Sequence, residues 1–490
     1  MVAIARSATA PSHQGCGGVR RRRSAAVRHD RHRRPRGRRR HRRGGGPVRP
    51  RTALAAAIAA ASLARGAAAN PVDAFGFGAR GPAMGNAQTA AATDAGAHYY
   101  NPALLAAIDS VRIDLGYQYV DPRLTLDGRD VQVNRSRGLA VGIAVPGTVA
   151  GVRVAVGAGL FLPDEQVTRT RTLAPDQPRF VLYDNRPQRL FLGANVAVAV
   201  GDRLLVGGGL GYLSSTTGAV VLRGRLHPTI PAESDLAFAI DVDLQTVRYP
   251  QAGVLWRALP WLDLGAAFRG GFVLDVDLAF RIEGDVGPEG GPYTVEDGFL
   301  QVFTQFQDLF QPEQWAVGAN ARLTPRLTLA FDAVWHRWSA FENPAAHIDI
   351  DYDLKDLNDF VILPDAPPLE PPHFHDILVP HVGVEWVAAR TARAVWRVRA
   401  GYTYEPSPAP EQSGRSNFVD ADKHTAAAGV GVELSRVTDV LPRPMDVDLY
   451  AAYTLLEPRV ARKISPVDPV GDYRAAGRLW HIGASTRWRF

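Results

Sequence analysis

Apolar and polar positions alternate with a period of two along most of the chain beyond residue 69. Counting back from the C-terminus in steps of two gives Phe490, Trp488, Thr486, Ala484, Ile482 and Trp480; between them lie Arg489, Arg487, Ser485, Gly483, His481 and Leu479. The same parity joins Val111, Ile113, Leu115, Tyr117 and Tyr119, and again Val152, Val154, Val156, Ala158 and Leu160. Between Leu262 and Ile282 it persists, with Asp263, Arg269, Asp275, Asp277 and Arg281 on the opposite parity. At ~3.3 Å per residue that run predicts a strand far longer than a soluble domain uses. One apolar and one charged face over such a length fits lipid outside and a polar lumen inside. The fold class is therefore all-β: a transmembrane antiparallel β-barrel.

The connections supply a direction and a strand number. Short turns are expected at 147–150, 201–202, 259–261, 324–326, 390–393 and 437–444. Longer loops rich in proline, glycine and charge fall near 121–137, 163–187, 225–245, 283–312, 341–378, 405–423 and 459–476. Their alternation predicts about 14 strands, with short turns on the periplasmic side and long loops outside. The stretch 225–258 reads either as part of a loop or as a further strand. In the loop 283–312, Phe299, Val302, Phe303, Phe306, Leu309 and Phe310 recur at helical spacing. A short loop helix carrying that stripe would offer a groove for an apolar ligand, with Phe299, Phe303, Phe306 and Phe310 as its contacts.

Composition changes the picture only at the N-terminus. Residues 1–69 hold 18 arginines against the single acidic Asp30; the whole chain has 56 basic and 49 acidic residues, which leaves 38 against 48 beyond residue 69. The basic character thus belongs to the leader, and no nucleic-acid partner is expected. Arg49 and Arg51, the apolar stretch Thr52 to Ala64 and Ala67-Ala68-Ala69 follow the order of a signal peptide with its cleavage site. Residues 1–69 are accordingly expected to be removed, with a mature start near Asn70. The sole cysteine, Cys16, lies in that leader, so the mature chain has no disulfide or thiolate chemistry. Beyond residue 69 no apolar run is long enough for a transmembrane helix.

Between Asn70 and Ile108 the chain is glycine- and alanine-rich rather than strand-like. The run Gly78-Ala-Arg-Gly-Pro-Ala-Met-Gly-Asn-Ala87, the alanines around Asp94 and then Tyr99-Tyr-Asn-Pro-Ala103 resemble the FadL family of outer-membrane transporters. Leu327 to Phe341, Val398 to Pro410 and Asp420 to His424 are similar to later segments of that family, in the same order. The terminal Trp488 and Phe490 resemble the signal by which barrel-assembly machinery recognises outer-membrane proteins. The resemblance implies residence in the bacterial outer membrane and a barrel spanning 109–490. It also implies a hatch over 70–108 inside the lumen, carrying the motif Asn101, Pro102 and Ala103. Long-chain fatty acids or aromatic hydrocarbons would be caught between loops, pass the hatch and leave toward outer-membrane lipid through a kinked third strand. Gly157 and Gly159 are the expected sites of that lateral opening.

A fatty-acid carboxylate would need a cation in the lumen, and Arg397 and Arg399 share the inward parity. They could equally pair with Asp446 or Glu385. No catalytic residues are expected: Ser413, Ser416 and His424 form no nucleophile motif. His373 and His375 share a strand face but lack a third ligand at workable spacing, so neither metal nor cofactor is expected. The competing functions are a general diffusion porin and a FadL-like barrel turned to structure or secretion.

Overall fold

The computed structural model describes residues 72, 75–165, 177–183, 190–226, 235–286, 295–355, 369–436, 443–464, 468 and 470–490. The expected leader, its cleavage site and a start at Asn70 lie outside the described residues. Among these residues no helix is long and apolar enough to cross a membrane. The alternating segments form strands: β1 (Arg112–Leu126), β2 (Arg129–Asp130), β3 (Ser136–Val149), β4 (Val152–Pro163), β5 (Phe191–Val200) and β6 (Leu204–Leu226). Next come β7 (Asp235–Leu259), β8 (Leu262–Arg269), β9 (Phe272–Val286), β10 (Val295–Gln311), β11 (Gln314–Thr324) and β12 (Leu327–His336). The last are β13 (His347–Asp353), β14 (Ile377–Arg390), β15 (Ala394–Glu405), β16 (Lys423–Leu434), β17 (Met445–Ala461) and β18 (Tyr473–Arg489).

Fourteen of these strands close a ring. Antiparallel pairs run from β1 through β3, β4, β5, β6, β7 and β8 to β11. They continue through β12, β14, β15, β16 and β17 to β18, which pairs back with β1 from Arg112↔Arg489 to Leu126↔Ala475. Phe490 extends the seam, its backbone N–H donating to the Val111 carbonyl at 2.9 Å. Closure leaves no unpaired edge in hydrocarbon, which is the condition for a sheet to span a membrane. The pleat sorts the faces. Ile113, Leu115, Val156, Trp256, Leu449, Trp480 and Ile482 are exposed on the outside, whereas Asp114, Asp263, Arg399, Asp446 and Arg487 are buried inside.

The structure corrects three expectations on the long-loop side. The parity of 262–282 is not one strand: Gly270 and Gly271 divide it, leaving β8 in the ring while β9 departs. Residues 283–312 are not a loop with a helix but β10, paired with β9 and β13. The physical reason is that β9 offers a complete ladder. A bulge between Gln307 and Leu309 then shifts parity, which made a strand look helical in spacing. The ambiguous 225–258 region is strand from Asp235 onward, in unbroken register with β6 as far as Arg225↔Asp235. Where β6 outruns β5, β9 adds in parallel from Gly218↔Leu278 to Leu226↔Val286. The result is a sheet standing above the ring.

Candidate functional site

The N-terminal segment packs inside the ring in part because the wall is glycine at several points of closest approach. A Cβ on Gly401 would lie 2.0 Å from the Gly85 nitrogen, and one on Gly383 would lie 2.6 Å from the Met84 carbonyl oxygen. Gly207 faces the Pro102–Ala103 peptide at 2.5 Å, and Gly265 faces the Thr89 carbonyl oxygen at 2.5 Å. Many of these glycines sit opposite one another across strands, as Gly383↔Gly401, Gly265↔Gly318 and Gly207↔Gly253. Paired absences of side chain make shallow troughs in the wall, and the segment's small residues fill them.

Polar contacts then lock it in place. Asp332 accepts the Gln88 and Thr89 amides at 2.7 Å each. The Gly85 carbonyl accepts from Thr403 Oγ1 at 2.7 Å and lies 2.8 Å from His381 Nδ1. Asn101 caps the turn Pro102–Ala107 by accepting the Ala103 amide at 3.0 Å, while its Nδ2 donates to the Thr89 and Val254 carbonyls. The Asn-Pro-Ala residues thus tie the segment to itself and to β7. His98 lies across β4, its Nε2 3.0 Å from the Ile143 carbonyl. Burial pushes the His98 imidazole down to about 4, against the pull of that carbonyl, so Nε2 donates as the neutral ring's N–H.

Above this plug is a cavity of about 100 Å³. Val72, Tyr99 and Tyr100 form its floor, Ala267, Val334 and Val379 its sides, and Trp338 its roof. The Arg269 guanidinium lies 3.8 Å over the Tyr99 ring, donates to the Tyr99 carbonyl at 2.5 Å and bonds Gln314. Trp338 belongs to a buried cluster gathered from distant loops. Phe310 and Trp338 lie 5.2 Å apart between centroids, Phe341 and Phe374 4.3 Å, Phe341 and Phe418 6.0 Å. None of Trp338, Phe341, Phe374 and Phe418 was marked by spacing, because they are scattered over 338–418 with no common period.

Below the plug, a separate polar cavity of about 300 Å³ opens at the short-turn end. Its charges are paired. Arg399 binds Glu385 at 2.6 Å and Asp448 at 2.5 Å, and Arg397 binds Glu433 at 2.9 Å and approaches Asp446 at 3.8 Å. Arg80 of the N-terminal segment joins Glu385 at 3.1 Å, and Asp94 approaches Arg487 at 3.6 Å.

Residues 55–441 match the family described as outer membrane protein transport protein (OMPP1/FadL/TodX). The chain belongs to the FadL/TodX family of outer-membrane transport proteins. Among solved structures, a FadL homologue of Pseudomonas aeruginosa aligns with a TM-score of 0.54 at 16% identity, covering 84% of this chain and 98% of that one. The P. putida toluene transporter TodX aligns at 0.50 and 14%, covering 85% and 99% respectively. At that identity the likeness concerns the fold. Among curated proteins none matches the chain significantly.

Within this FadL/TodX barrel the expected site residues separate. Asn101, Pro102 and Ala103 lie in the plug. Phe310 is in the aromatic cluster and Phe306 is buried within β10; by register Phe299, Phe303 and Phe310 share one face of the strand and Phe306 takes the other, and Phe299 and Phe303 are partly exposed, Phe299 under Arg281 at 4.7 Å. The four therefore do not form one groove, because strand parity places Phe303 and Phe306 on opposite faces. Arg397 and Arg399 are satisfied by protein carboxylates rather than held open for a ligand. Gly157 and Gly159 lie on the third barrel strand, where β4 keeps an unbroken register with β3 and β5. Both glycines lie against His98, at 2.6 and 2.9 Å from a built Cβ. Trp488 and Phe490 take the outward parity at the seam. No group of three or more potential ligands for a metal occurs among the described residues.

Proposed function

We propose that this transporter carries small neutral hydrophobic molecules, of about single-ring size, across the outer membrane. One observation carries the reading: Trp338, which lines the cavity over the plug, is the edge of the buried Phe310–Trp338–Phe341–Phe374–Phe418 cluster. An apolar cavity of ~150 Å³ accepts benzene; this one, at about 100 Å³, approaches that size, with Val72, Ala267, Val334, Val379 and Trp338 as its apolar lining beside the polar Asn86, Gln314, Asp332 and His381. The nearest cation, Arg269, is bonded to Gln314 and the Tyr99 carbonyl, which disfavours a long-chain carboxylate. Monoaromatic hydrocarbons fit better than fatty acids.

In this reading the aromatic roof is the point of capture and the plug is the hatch. A hydrophobe that reached the charged cavity beneath would meet paired arginines and carboxylates, so release sideways into lipid is favoured over release downward. The wall at Gly157 and Gly159 is the candidate exit, opened when His98 withdraws. The packed lumen counts against an open diffusion pore.

Uptake of radiolabelled toluene and of oleate by cells with and without the protein tests the cargo. Toluene uptake should depend on the protein and fall about tenfold or more in Phe310→Asp/Trp338→Asp, since burying one aromatic side chain is worth ~1.5–3 kcal/mol. Phe303→Asp should change it little. Protein-dependent uptake of oleate alone, or equal effects of the Phe303 and Phe310 changes, would count against the reading.

A further inference from the structure

Five arginines gather on the outer face of one sector of the rim. Arg123 is on β1, Arg137 on β3 with Arg135 just before it, and Arg474 and Arg478 on β18, the strand that pairs with β1 on its other side. All take the outward parity. On β1 it is shared with the exposed Ile113, Leu115 and Tyr117, and on β18 with Trp480 and Ile482. The two strands place Arg123 directly beside Arg478.

Their height follows from the strand. Arg123 is eleven residues along β1 from Arg112 at the short-turn end, which is roughly 36 Å of strand. At a tilt of ~40° that is roughly 28 Å of height, just past an apolar band of ~25 Å. An aromatic layer sits directly beneath: Trp480 pairs with Asp121 in register and packs on Tyr453 at 4.8 Å, beside Tyr119. The arginines thus stand where the phosphates of the outer leaflet lie.

The carboxylates in the sector, which include Asp127 bonded to the Arg474 backbone N–H at 2.8 Å and the exposed Asp472, engage the arginine side chains only in part. Asp121 is shared by Arg123 at 3.1 Å and Arg135 at 2.8 Å, Asp130 approaches Arg123 at 3.8 Å, and Arg137 contacts Asp164 and Glu165. The three partnered arginine side chains remain 44–58% exposed; pairs this open are weak in water and yield readily to a better anion. Among the described residues Arg474 and Arg478 have no carboxylate within ion-pair distance. On β15 to β17 the outward rim is different in kind, presenting Tyr402, His424 and Glu457 bonded to one another. We propose that the arginines of β18, β1 and β3 form a binding site for the phosphate groups of a phosphorylated glycolipid of the outer leaflet. Guanidinium forks suit phosphate oxygens, and the apolar stripe beneath receives the acyl chains of the same molecule.

The test uses full-length protein in nanodiscs, with lipid A bearing both phosphates and dephosphorylated lipid A as probes, read by native mass spectrometry. The wild type should retain the phosphorylated lipid at least tenfold better, and Arg123→Gln/Arg474→Gln/Arg478→Gln should lose that preference. Glu457→Gln, on the other sector, should keep it. Equal retention of the two lipids by the wild type would overturn the proposal, as would an unchanged preference in the arginine variant or an equal loss in Glu457→Gln. Heat-modifiable mobility checks that each barrel has assembled. Arg474→Gln/Arg478→Gln, which disturbs no ion pair, carries the same prediction if the triple variant fails that check.

Discussion

Gly401→Ala should open the plug while leaving the barrel intact. The new Cβ would lie 2.0 Å from the Gly85 nitrogen and 2.2 Å from the Met84 carbonyl carbon, both backbone atoms that no rotamer change can move away. Ordinary contact needs well over 3 Å, so something must shift by more than 1 Å. The wall is held on both sides by ladders, Gly383↔Gly401 and Gly401↔Ala427, and the plug by fewer bonds, so the plug is what moves. Overpacking costs about 1–3 kcal/mol. Losing the Thr403 and His381 bonds to the Gly85 carbonyl adds about 0.5–1.5 kcal/mol each. The total of about 2–6 kcal/mol weakens closure by roughly 30-fold or more. Single-channel recording in planar bilayers measures this: the wild type should conduct little, and Gly401→Ala should open often. Gly147→Ala, whose Cβ would meet nothing within 4 Å, is the matched control. A correctly assembled Gly401→Ala barrel that closes as well as the wild type would refute the reasoning.

Removing Phe490 deletes the bond to Val111 and the aromatic end of the seam; the yield of heat-modifiable barrel should fall sharply, and undiminished yield would be incompatible with a role in assembly. Arg399→Ala leaves Glu385 and Asp448 buried with less compensation, so it should destabilise by about 3–5 kcal/mol in thermal unfolding; unchanged stability with lost oleate uptake would instead restore Arg399 as a ligand partner. The plug should also loosen in acid. His98 is held near 4 when packed against an ordinary value of 6.5, so the stability it lends is complete above 6.5 and is lost as pH falls through about 4. The full effect is about 3 kcal/mol, and conductance should rise between pH 6.5 and 4 in the wild type but show no such pH dependence in His98→Gln.

Alternation of period two is a local property, and it identified the barrel and its inward and outward faces, while the succession of short turns and long loops gave the strand number, without any tertiary information. The outward parity of Trp480, Ile482 and Phe490 could be read directly because a strand's two faces meet only two environments. Where the chain leaves the membrane that constraint ends. Phe299 to Phe310 therefore read as the stripe of a loop helix, and only the hydrogen-bond partners on β9 and the bulge that breaks the parity make it a strand. Arg397 and Arg399 were legible as inward-facing, but whether they wait for a ligand or bind protein depends on Glu385, Glu433 and Asp448, which arrive from other strands. The aromatic roof and the glycine troughs were invisible for the same reason. Trp338, Phe341, Phe374 and Phe418 have no period, and Gly383 and Gly401 are simply small residues until β14 and β15 pair and bring both against the Met84–Gly85 backbone. Local chemistry decided what kind of wall this chain builds; closure of the ring decided which side chains meet inside it, since those contacts join residues hundreds of positions apart.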